Sequence, residues 1–257
     1  MIWDQSLPLL LLAGLLGLLF GSFLNVCICR IPKRESVVTG ASHCTACGAL
    51  IRARDLVPVV SFVLLRGRCR ACGDKISIRY PVIELANAVL WVLICLRYGW
   101  SAQSIIYCAF VSVLLVAAVI DIDTMLVPPA LTVTILALGV LCLFVLHDTA
   151  YYNRLIGFVA GGLPFLLIAV LSKGGMGGGD IKLMAVCGLV LGWRLILLSL
   201  LLAVIAGGIW AAALLLAGRA KKGAELALVP FLSGGMLISL LFGEQMIAWY
   251  VTLFFPK

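Results

Sequence analysis

Charge is scarce in this chain. Asp, Glu, Lys and Arg make up 12% of its 257 residues, about half the share found in a soluble globular domain. A solvated surface over most of the fold is therefore excluded. Acidic residues number 11 and histidines two, so few side chains can do acid–base work. Internal repeats and low-complexity linkers are also missing, which excludes a solenoid or a tandem array. What is present instead is apolar sequence: 64% of residues are hydrophobic and the mean hydropathy is +1.21. Long apolar runs of this kind predict an all-α polytopic membrane protein.

The runs lie near 7–29, 81–97, 103–120, 130–147, 154–172, 182–217 and 229–254. The sixth would reach about 53 Å as one helix, against a hydrocarbon core of about 30 Å. Gly192, Trp193 and Arg194 offer a turn inside it. Splitting it there predicts about eight transmembrane helices with both termini outside. The net charge of +8 suits nucleic acid at first sight, but the basic residues cluster in a few loops. With eight crossings, only Arg97, Arg154, Arg194 and Lys257 of the 19 basic residues fall outside. That bias is the positive-inside pattern, and the predicted partner is the lipid bilayer, not nucleic acid. The first run follows an acidic residue, Asp4, and precedes Arg30, Lys33 and Arg34. A cleavable signal has the reverse polarity, so the run is expected to stay as a permanent helix.

One sizeable polar region remains, the loop over about residues 30–80, placed in the cytoplasm by its basic residues. It is too short to fold on an apolar core alone. It carries Cys44-Thr-Ala-Cys47 and Cys69-Arg-Ala-Cys72, separated by 21 residues and each followed by a glycine, Gly48 or Gly73. Four thiolates at this spacing suit tetrahedral Zn²⁺. A reducing compartment disfavours disulfides, and a metal would stabilise the small insert. His43 is surplus to four thiolates. Cys27, Cys29, Cys95, Cys108, Cys142 and Cys187 lie in or beside apolar segments and are expected to be small buried hydrophobes.

Ionisable groups in hydrocarbon are costly and mark function. Asp121 and Asp123 stand in AAVIDIDTMLVPP, at the inner end of the third run, and Asp180 in GGMGGGDIKL, at the inner start of the sixth. All three are predicted at one membrane face. Two carboxylates that meet can share one proton. The ionised member takes a proton from water while the protonated one polarises a peptide carbonyl. Gly177–Gly179 would then adopt backbone angles closed to other residues and let a substrate backbone approach. The plainer alternative is a flexible loop with Asp180 as a helix cap. Asp121 and Asp123 point about 200° apart on a helix, and residue chemistry does not choose between them.

Together these pieces resemble the type IV prepilin peptidase family. GSFLNVCICRIP (Gly21–Pro32), the paired CxxC motifs, LLRGRCRAC (Leu64–Cys72), ISIRYPVIEL (Ile76–Leu85) and GGMGGGDIKL are similar to its signatures, in order and over nearly the whole chain. The resemblance implies a division into a first helix (1–29), a cytoplasmic zinc-binding loop (30–80) and a transmembrane GxGD aspartyl protease domain (81–257). Asp121, six residues before Val127-Pro128, inherits one catalytic role and Asp180 the other. It implies cleavage of the short basic leader of prepilins or pseudopilins at the cytoplasmic face of a bacterial inner membrane. It further implies N-methylation of the new terminus from S-adenosylmethionine, with Gly67, and with it Glu84, tied to that activity. Pro129, Ala41 and Thr45 depart from the family pattern, without removing a thiolate or a carboxylate.

Cleavage alone is one alternative. Others are a transport protein with Asp121 and Asp180 as ion ligands, and a non-catalytic scaffold for pilus assembly. Transporters bind near the midplane in broken helices, whereas both aspartates are expected at one face. The six tryptophans are expected mostly as interfacial anchors. Lys182 either positions Asp180 or only keeps positive charge inside. His147, Glu225 and Glu244 carry no motif.

Overall fold

The computed structural model describes residues 7–146, 150–172, 177–218 and 226–254. Asp4, His147, Glu225, Lys257 and the first three residues of GGMGGGDIKL, all named above, lie outside them. Nine α-helices run through the described residues. They are α1 (Leu7–Arg30), α2 (Val60–Leu64), α3 (Arg79–Tyr98), α4 (Ala102–Thr124), α5 (Pro129–Val145), α6 (Tyr151–Leu171), α7 (Gly178–Leu191), α8 (Trp193–Leu216) and α9 (Val229–Phe254). No strand is present among the described residues; two isolated bridges, His43 with Leu50 and Arg68 with Lys75, lie in the cysteine loop.

The protein is a multi-pass, all-helical membrane protein. α1, α3, α4, α6, α8 and α9 are long and apolar enough to cross a bilayer. The expectation of eight crossings therefore rests on α5 and α7, of 17 and 14 residues, or about 26 and 21 Å. The break expected at Gly192 is there. α7 ends at Leu191, Gly192 takes φ +79°, and α8 starts at Trp193. A side chain is strained in that left-handed conformation, and glycine is not. Arg154 and Asn153 of α6 fasten this corner. The Arg154 guanidinium donates to the Val190 carbonyl, and the Trp193 indole N–H donates to Asn153 Oδ1 at 3.2 Å.

The chain forms two compact units, residues 1–112 and 113–257. In the first, α1 lies tightly on α3. A Cβ on Gly17 would stand 2.7 Å from the Ala88 Cα, and one on Gly21 2.7 Å from the Glu84 Cα. Small residues allow such approach, and interhelical hydrogen bonds add about 1 kcal/mol each. Asn87, fully buried, donates to the Gly17 carbonyl at 2.8 Å and accepts from the Ser112 hydroxyl at 2.7 Å. Trp91 donates to Ser112 at 2.9 Å, an interior bond where an interfacial anchor was expected. Cys29 also differs from expectation: it is exposed, while Cys27, Cys95, Cys108, Cys142 and Cys187 are buried.

In the second unit α7 is the enclosed element. Every residue from Leu183 to Leu191 is buried, and α5, α6 and α8 pack around it. Gly157 and Gly161 of α6 face Gly188 and Met184 of α7 so closely that a Cβ at either α6 glycine would collide with α7 backbone. α7 therefore has little freedom to shift, and Asp180 sits in its first turn.

Candidate functional site

Two sites emerge, one in each unit. The first is the cysteine cluster. The Sγ atoms of Cys44, Cys47, Cys69 and Cys72 all lie within 4.8 Å of one another, and the Cys44–Cys72 pair is 4.0 Å apart. A zinc tetrahedron with Zn–S bonds of about 2.3 Å has edges of about 3.8 Å, so the four thiols fit a zinc ion. Each CxxC bends into the same turn. The Gly48 N–H donates to the Cys44 carbonyl and the Gly73 N–H to the Cys69 carbonyl, both at 2.9 Å, with φ +71° and +76° at the two glycines. The amides of Cys47 and Ala46 point at the Cys44 sulfur and draw its pKa down to about 7. Cys72 is relieved by the Asp74 amide, yet crowding by Cys47, Cys69 and Cys44 still pushes it up to about 12. Four thiolates so close need a cation between them. His43 is outside the cluster.

Two arginines hold this loop in ways its sequence did not announce. Arg30, the last residue of α1, donates to the carbonyls of Ser36, Thr39, Gly40 and Ala41 at 2.8–3.3 Å. Arg70, inside the second CxxC, forks onto Asp55 at 2.7 Å. Gly67 and Glu84 meet α2 from two sides. Gly67 has φ +65°, and a Cβ there would press on the Phe62 ring at 3.1 Å. Glu84 is buried, and its Oε2 accepts the Val59 N–H at 2.7 Å.

The second site lies where α4 ends and α7 begins. Asp121 is buried, 5% exposed. Its Oδ2 accepts the N–H of Val229, the first residue of α9, at 3.0 Å. The α9 N-terminus thus directs its positive end at this carboxylate. Asp180 is half-buried in the first turn of α7, and Val127, six residues after Asp121, meets that turn at Gly179. Asp123 and Lys182 are exposed, as is Glu244. Geometry therefore separates the two α4 aspartates where residue chemistry did not.

The glycines before Asp180 act differently from expectation. Neither Gly177, Gly178 nor Gly179 has a positive φ; Gly177 is extended at −64° and 131°. The closest constraint falls on Gly179, where a Cβ would stand 3.1 Å from that of Val127. Its missing side chain brings the Val127-Pro128 lead into α5 against the Asp180 turn. Around Gly178 the space is open. α7 also has no side-chain cap at Gly177. The Val229 amide had no sequence signal except Pro230 just inside a helix start, a common position for proline.

Comparison with known proteins covers most of the chain. The bacterial peptidase A24 N-terminal domain matches residues 15–98, and the type IV leader peptidase family matches residues 108–212. A prepilin leader peptidase/N-methyltransferase of Bacillus subtilis is 34% identical over 91% of this chain and 95% of its own length. Proteins with the same name from Pseudomonas putida and Pseudomonas aeruginosa are 34% and 33% identical, over 92% and 96% of this chain and 92% and 95% of their own. No solved structure matches the chain.

Proposed function

This chain belongs to the type IV leader peptidase family, and on that premise we propose that it removes the leader from prepilins or pseudopilins and methylates the new N-terminus. The observation that carries the cleavage reading is the pair of carboxylates, Asp121 buried at the end of α4 and Asp180 half-buried at the start of α7, with Val127 of the α4–α5 connection against Gly179. Two carboxylates that meet share one proton. The ionised aspartate takes a proton from water. The water oxygen attacks the carbonyl carbon of the leader's last peptide bond. The protonated aspartate donates to the carbonyl oxygen as it gains charge, and a proton then passes to the departing amine. A Cβ on Gly178 would meet nothing within 4 Å among the described residues, which supports approach of an extended peptide to this turn.

The second activity draws its methyl group from S-adenosylmethionine. Glu84 is engaged by the Val59 amide, and Gly67 by its turn against Phe62. Both shape the α2 corner, which supports the reading that this corner binds the methyl donor. The thiol cluster holds structural zinc, which fixes the loop in which that corner sits. Positive charge in the loops supports a cytoplasmic position for this loop and for both aspartates, at a bacterial inner membrane.

The experiment is reconstitution of the purified protein with a prepilin and isotopically labelled S-adenosylmethionine. Leader loss on a gel and label on the new N-terminus support both activities. Leader loss without label supports cleavage alone, and an intact prepilin refutes the reading.

A further inference from the structure

The cysteine loop contains an apolar run its polar neighbours hide: LVPVVSFVLL, residues 56–65, between Arg52 and Arg54 on one side and Arg66 and Arg68 on the other. Ten residues are too few to span a bilayer, and runs of this length are core helices or re-entrant segments. The core explanation fails on exposure. On α2, Val60, Val63 and Leu64 are 51%, 64% and 76% exposed.

The depth of the segment follows from its anchor. The Val59 N–H is held by Glu84 at 2.7 Å. Glu84 lies five residues into α3, about 8 Å from its start, and against Gly21, about 14 Å from the end of α1. On α3 its neighbours Val82 and Leu85 are 54% and 48% exposed, so this level of the helix faces lipid. Irregular backbone survives at such depth only if its polar groups are satisfied by protein. Here they are. Ser61, Val63 and Leu65 donate to the carbonyls of Val57, Val59 and Ser61 at 2.9–3.0 Å. Gly67 donates to Phe62 at 2.8 Å, and the Ser61 hydroxyl to Arg54 at 3.0 Å.

We propose that residues 56–65 dip into the leaflet bordering the cysteine loop, with Val60, Val63 and Leu64 against acyl chains and the flanking arginines on anionic headgroups. Exposed Arg52, Arg54, Arg66 and Arg68 leave the rim net positive, since the adjoining Asp55 is paired with Arg70, and a positive rim is the complement of an acidic lipid surface. The buried carboxylate of Glu84 is then the fastening that keeps a short loop at membrane depth.

The test uses the full chain in phosphatidylcholine nanodiscs, with and without phosphatidylglycerol. An environment-sensitive fluorescent amino acid replaces Leu64, and in a second variant Val63, so that a distortion at one position does not decide the result. Val38, 86% exposed among polar residues, is the aqueous reference. Expected are quenching at 63 and 64 by nitroxide-labelled acyl chains, protection from iodide several-fold greater than at 38, and deeper burial with phosphatidylglycerol. Arg66→Glu with Arg68→Glu is expected to remove the phosphatidylglycerol effect. Iodide quenching at 63 and 64 as strong as at 38 would overturn the proposal. So would loss of acyl-chain quenching when a prepilin is added, since the face would then be a peptide site.

Discussion

In the first unit four thiols lie on two turns of one exposed loop, each turn closed by its own glycine. In the second, two carboxylates come from different helices, and a third element, the α9 N-terminus, holds one of them. The thiol site is locally encoded, and on the zinc reading proposed above it is held together by the ion. The carboxylate site is assembled by packing, and it depends on α7 staying where α6 puts it. Damage to the first should therefore spread little, whereas damage far from the second should reach it.

The largest expected effect is on the carboxylates. Asp121→Ala or Asp180→Ala is expected to slow prepilin cleavage by about 10³-fold or more, the scale of losing acid–base catalysis, with the protein still folded by circular dichroism. Next comes the thiol cluster. Cys47→Ser, or chelation, is expected to abolish bound zinc by elemental analysis and to loosen residues 42–76 to proteolysis, while α7 amides stay protected from exchange. Acidification should release the metal in the same way, because protons compete with it for the thiolates and Cys44 titrates near 7. If zinc loss exposed α7 as well, the contrast between the sites would fail.

Smaller still is the packing effect. Gly157→Leu inserts a side chain where α6 meets the Gly188 backbone, and overpacking typically costs about 1–3 kcal/mol. It should lower both thermal stability and cleavage, the latter through Asp180. The polar bonds of the first unit are worth less: Asn87→Leu should cost about 1–2 kcal/mol in unfolding measurements and leave cleavage near wild type. Last is Asp123→Ala, expected to leave the cleavage rate near wild type, because it is Asp121, not the exposed Asp123, that is buried against the α9 N-terminus.

The same contrast governs what was legible from sequence. Cys44, Cys47, Cys69 and Cys72 could be read as one site because each pair is local and Gly48 and Gly73 mark both turns. Helix positions and the break at Gly192 followed from apolar run lengths against membrane thickness. Asp121 and Asp180 could be named, but the burial of Asp121 and the Val127–Gly179 contact beside Asp180 arise from packing, which no short window encodes. The Val229 amide stands 108 residues from Asp121 and had almost no signal. Freedom at Gly177–Gly179 was the wrong physical reason for those glycines, since Gly179 serves a close approach instead. The loop over 30–80 was read as one polar region, and LVPVVSFVLL inside it went unremarked, because its arginines dominate the charge count.

The most direct test of the central claim, that Asp121 and Asp180 act as one unit, is a double-variant cycle on cleavage. Rates for Asp121→Ala, Asp180→Ala and the double variant would be measured in reconstituted membranes against one prepilin. Groups that act together are grossly non-additive, so the double variant is predicted to be no slower than either single one. A double variant whose loss is the product of the two single losses would show independent roles and contradict the shared-proton pair.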